Sequence, residues 1–153
     1  MGTFRFRLEK VSEHRQRQVD RCSLAVANAN QRLEQIRKMQ ARLENDIQRQ
    51  AQVMADRRGG EVSSRDFVAG TAWLNHLHEQ AESLGQMMAR NVEELAEARD
   101  QLARAWRDLE VLSRLRVRQE ADWQLVQDRR DRREMDEIGQ LRAHRGLKTK
   151  SAH

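Results

Sequence analysis

His76 and His78 are the first side chains that could do chemistry, as a metal pair or a proton-transfer pair. They stand two apart and so project from different sides of a helix, whereas helical metal pairs stand four apart. Glu79 completes no His-Glu-x-x-His, and both histidines read as ordinary surface residues. Cys22, the single cysteine, falls among regularly spaced apolar residues and reads as a small buried hydrophobe rather than a nucleophile. Gly59-Gly60 resembles a phosphate loop only in glycine content, lacking the lysine and the preceding strand. The run Arg129-Arg130-Asp131-Arg132-Arg133 could follow a nucleic-acid backbone. Acidic residues interrupt it and no aromatics interleave with it, which favours a solvated or protein-binding face. Trp123 is a large aromatic of the type that anchors interfaces. Its alternative role is to pack on Phe4 and Phe6, and both readings stay open on sequence.

These side chains must be positioned by helices. The chain has 153 residues with no proline and seven glycines; 35 % of residues are charged and 4 % aromatic. Its mean hydropathy is −0.95. Sandwich and α/β domains need more turn residues and more apolar content. The abundance of Arg, Gln, Glu, Ala and Leu is that of long helices. The longest apolar run, Leu24 to Ala27, is far short of a membrane span, and no apolar stretch follows Phe4-Arg5-Phe6-Arg7 to make a signal peptide. A lone cysteine suits a reducing compartment, so a cytosolic protein is expected.

Two periodic stretches flank one breaker. In the first, Cys22, Val26, Ala29, Leu33, Ile36, Gln40, Leu43, Ile47, Gln50 and Met54 alternate steps of four and three, the seam of a heptad. Upstream it continues through Val19, Arg15, Val11, Leu8 and Phe4, with one stutter at two successive steps of four. The second seam runs from Phe67 and Gly70 through Leu77, Met88, Asn91, Leu95 and Leu102 to Leu112. It then thins through Arg116, Gln119, Trp123, Val126, Arg130 and Arg133. Gln40 and Asn91 are expected to fix register. Gly59-Gly60 reads as a helix stop, and Ser63 and Ser64 as candidate N-caps with Asp66 in the first turn. The predicted fold is all-α: an antiparallel coiled-coil hairpin forming a single domain over 1–153. Helix 1 is expected at about 4–58, the loop at about 59–64 and helix 2 at about 65–145, before a short flexible tail. Such a hairpin offers no pocket in which to desolvate a catalytic group, so no enzyme, cofactor, metal or small-molecule substrate is expected.

Folding about the loop pairs residue i with roughly 123 − i, and the second helix, ~120 Å long, outlasts the first. Its last turns, carrying Trp123 and Val126, are left without an intramolecular partner. Net charge is +6 over residues 1–58, −5 over 59–113 and +4 over 114–153. The loop end thus pairs opposite charges, while the end bearing both termini is basic and should prefer an anionic partner.

The opening Phe4-Arg5-Phe6-Arg7-Leu8-Glu9-Lys10-Val11 resembles the start of the flagellar export family FliJ, commonly Phe-x-Phe-Arg-Leu-Glu-x-Val-Leu. The ending Asp131-Arg132-Arg133-Glu134-Met135-Asp136-Glu137-Ile138 is similar to that family's Glu-Gln-Lys-x-Leu-Asp-Glu-Ile stretch. Ser12 stands where Leu is usual, and Arg132-Arg133 replaces Gln-Lys. The resemblance implies a coiled coil similar to the rotor stalk of rotary ATPases. It would bind the hexameric export ATPase (FliI-like) and the membrane export gate (FlhA-like), with export chaperones as further partners. Its place would be cytoplasmic, peripheral to the inner face of the cell membrane. The expected partner-binding residues are Trp123, Val126, Arg130, Arg133, Asp136 and Glu137. The coiled-coil stalk proteins of virulence type III secretion (YscO-like) are a close alternative. A basic coiled-coil nucleic-acid binder is the alternative of a different class.

Overall fold

The structure is a computed structural model describing residues 2–60 and 63–152. Two long helices, α1 (Glu9–Arg57) and α2 (Ser64–Lys150), and no strand occur among these residues. The two helices pack against each other within each of two units of the chain, and α2 is the longer. Close packing divides the chain into two compact units, Gln18–Trp106 and Met1–Arg17 with Arg107–His153.

In the unit Gln18–Trp106 the expected seams form the interior. Every α1 seam residue from Cys22 to Met54 is buried or half-buried, as is every α2 seam residue from Gly70 to Ala105. Ala29, Leu33 and Leu95 make the tightest cluster, flanked by Val26 and Met88. Arg32 reaches Glu94 at 4.0 Å, and Gln50 Nε2 donates to the Gly70 carbonyl at 3.4 Å. Both pairs fall within about three positions of the expected register. The open ion pair contributes little stability; apolar burial holds the helices together. Asn91 does not reach across the seam, because its Nδ2 donates to the Met87 carbonyl of its own helix at 2.8 Å. Phe67, placed at the head of the second seam, is 47 % exposed. It lies beyond the level of Met54, the last packed position of α1.

Glycine conformation does not make the helix stop. Neither Gly59 nor Gly60 has positive φ. Instead α1 tightens as it ends: the N–H groups of Arg58, Gly59 and Gly60 donate to the carbonyls of Ala55, Asp56 and Arg57 at 3.2–3.4 Å. Within the expected loop, Glu61 and Val62 lie outside the described residues. Ser63 is the N-cap of α2, its Oγ accepting from the Asp66 N–H at 3.2 Å. At the other end α2 continues through the expected tail to Lys150, and Met1 and His153 lie outside the described residues.

In the unit bearing the termini the first seam takes a different path. Val11 is 42 % exposed, whereas Ser12 beside it is half-buried, as are Leu8, Glu9 and Arg15. Leu8, Ser12, Arg15, Val19 and Cys22 then alternate steps of four and three, so the expected stutter is absent. The apolar character of Val11 had outweighed the spacing, which is the stronger constraint once a second helix fixes the inner face. Arg15 meets Asp108 at 3.3 Å, on the expected register. Ser12→Leu would place an apolar side chain in a seam position that now holds a hydroxyl. It is expected to raise stability by about 1 kcal/mol, read as a higher midpoint in thermal melting by circular dichroism.

Candidate partner-docking end

Residues 2–8 depart most from expectation. Helix 1 was expected from about Phe4, but residues 2–6 are not helical and α1 begins at Glu9. Phe4 is half-buried and Phe6 only 7 % exposed, while Arg5 and Arg7 face solvent. That two-residue alternation belongs to extended chain, which rises more than twice as far per residue as a helix. The segment is therefore an arm laid along α2. The Phe6 carbonyl accepts the Glu9 N–H at 3.2 Å, closing the turn into α1.

Two aromatic contacts seat the arm. The Phe4 ring lies 6.0 Å from that of Trp123 at an interplanar angle of 54°, within the tilted geometries aromatic pairs prefer. The Arg116 guanidinium stands 5.9 Å over the Phe6 ring, a cation–π distance, and also pairs with Glu9 Oε2 at 3.0 Å. Trp123 thus has an intramolecular partner in Phe4, which is the packing the sequence left open beside the reading of an unpartnered turn.

The thinning seam also changes phase. Leu115, Gln119, Trp123 and Gln127 are the half-buried residues, four apart, while Arg116 is exposed and Val126 is 58 % exposed. Steps of four overshoot a full helical turn, so the contact line drifts round α2 instead of holding a left-handed supercoil. An extended arm permits this, because it imposes no heptad on the helix beneath it.

From residue 128 to 152 every residue is exposed. Of the expected partner-binding residues, Trp123 and Arg130 come together in a groove also lined by Gly2, Gln127 and Glu134. Arg130 Nε pairs with Glu134 at 3.1 Å within α2. Val126, Arg133 and Asp136 are exposed outside that groove, and Glu137 lines a separate shallow one with Gln140, Leu141 and His144. Sequence reasoning missed Phe6, Arg116 and Glu9 as a set. The period of two in Phe4-Arg5-Phe6-Arg7 was the available signal.

Phe6→Ala is expected to free the arm without melting the helices. Trypsin should then cut after Arg5 and Arg7 several-fold faster, because cleavage follows the population of the opened segment. Helicity by circular dichroism should hardly change.

Elsewhere His76 contacts Gln80 at 3.2 Å and lies 5.6 Å from the Trp73 ring, and Cys22 is half-buried. Among the described residues no group of three or more His, Cys, Asp or Glu could hold a metal ion, and no helix is long and apolar enough to cross a membrane. The family model described as Flagellar FliJ protein matches residues 4–148. No curated protein and no solved structure matches the chain.

Proposed function

The chain belongs to the flagellar FliJ family, which makes it a flagellar, export-related coiled-coil protein, and from that premise we propose that it is a non-enzymatic adaptor of the export apparatus. It couples the hexameric export ATPase (FliI-like) to the export gate (FlhA-like) from the cytoplasmic side, peripheral to the inner face of the membrane, with export chaperones as further partners. The family match favours the flagellar system over the virulence one. The observation that supports coupling most is the solvent-exposed stretch of α2 from residue 128 onward, a helical surface with no partner helix against it. In this reading Arg130 and Arg133, with Trp123, Val126, Asp136 and Glu137 beside them, meet an acidic surface of the ring. Charge of this kind accelerates encounter at low salt, while the apolar contacts slow dissociation.

Co-purification of the chain with a candidate export ATPase, followed by an ATPase assay, tests the reading. Expected are a salt-sensitive complex and faster hydrolysis. Salt-dependent binding to DNA or RNA with no effect on the ATPase would instead make the chain a nucleic-acid binder.

A further inference from the structure

The exposed stretch of α2 carries a second pattern, which adjoins the arginine face assigned to the ATPase through the Arg130–Glu134 ion pair. Asp131, Glu134, Ile138, Leu141, Arg145 and Lys148 follow one another at steps of three, four, three, four and three, so they share one face of the helix. All are exposed; Ile138 is 45 % and Leu141 64 % accessible, while Asp131 and Glu134 line the groove that also holds Gly2 and Arg130. The order of charge along this face is directional. Its first third is acidic, its middle apolar and its last third basic.

A face of that order is its own complement when turned end for end. We infer that this segment pairs antiparallel with the same segment of a second copy. The two-fold axis passes between Ile138 and Leu141. Ile138 then packs on Leu141 of the second copy, Glu134 meets its Arg145, and Asp131 meets its Lys148. Each contact occurs twice by symmetry, as an isologous interface requires. The alternating layers match those of an antiparallel coiled coil, where one seam position faces the other. A uniformly acidic partner would set its charge against Asp131 and Glu134, and a uniformly basic one against Arg145 and Lys148. A second copy satisfies both ends. Only one apolar double layer is buried, so the dimer belongs to the weak, reversible class of small interfaces. The charged layers set register and direction more than affinity.

The inference goes beyond the adaptor reading and needs no ATPase to test it. Sedimentation velocity of the full chain over a concentration series reaching ~200 µM is expected to show reversible monomer–dimer exchange. Arg145→Glu sets Glu against Glu134 of the second copy, and Glu134→Arg sets Arg against its Arg145. Each variant alone should remain monomeric. An equimolar mixture of the two should associate again, because every glutamate then faces an arginine. A wild-type chain that stays monomeric throughout overturns the inference. So does a dimer indifferent to both reversals, or a mixture that fails to associate.

Discussion

Leu95→Ala is expected to lower the stability of the coiled coil by about 2–4 kcal/mol. Leu95 is 8 % exposed and closes on Ala29 and Leu33, with Met88 and Val26 at the edges of the cluster. Of its α1 neighbours Ala29 offers only a methyl group, which leaves Leu33 and the half-buried Val26 to close part of the space left by truncation. The loss therefore combines apolar transfer with a residual cavity. Two paired helices can close up more easily than a globular core, which places the expected value in the lower part of the range for such substitutions. Thermal melting should show a midpoint lowered by roughly 5–15 °C in a chain of this size. Ile36→Ala, at a site 5 % exposed, should behave alike. The surface substitution Arg129→Ala should move the midpoint very little.

Truncation after Gln127 is expected to do the opposite, leaving stability intact and abolishing function. Every residue from 128 to 152 is exposed, and the Arg130–Glu134 pair lost with them is open to solvent. The melting midpoint should therefore stay within the equivalent of ~0.5 kcal/mol. Stimulation of the export ATPase should fall by at least about tenfold, as for loss of an interface centre. Retained stimulation would move the docking surface to the arm or to the end near Gly59-Gly60.

The two long helices were legible because a heptad repeats one simple constraint many times. From Cys22 to Met54 and from Gly70 to Ala105 each step of three or four returns a side chain to the inner face, and the structure buries or half-buries each of them. Legibility failed where the constraint lapsed. Near the N-terminus Val11 attracted the assignment by its hydrophobicity, although Ser12 keeps the spacing. Between Leu115 and Gln127 the helix faces an extended arm, so heptad extrapolation put Arg116 and Val126 inward when Leu115 and Gln127 are the half-buried residues. The arm itself was absorbed into the first helix because the seam could be extended to Phe4. Its alternation of phenylalanine and arginine has a period of two, and that local signal was the better guide. Asn91 shows a further limit: a polar residue on a seam can turn back onto its own helix, a choice that spacing does not encode.

Hydrogen exchange on the chain bound to the hexameric export ATPase tests most directly whether the terminus-bearing end is the docking end. In the free chain the exposed helical stretch 128–150 has its amides held by its own backbone hydrogen bonds, so engagement by a ring should slow their exchange strongly. The expected result is protection concentrated at 128–150 and along the arm at residues 2–8, with exchange around residues 57–60 unchanged. Protection confined to residues 57–60 and the first turns of α2, with 128–150 exchanging as in the free chain, would contradict it.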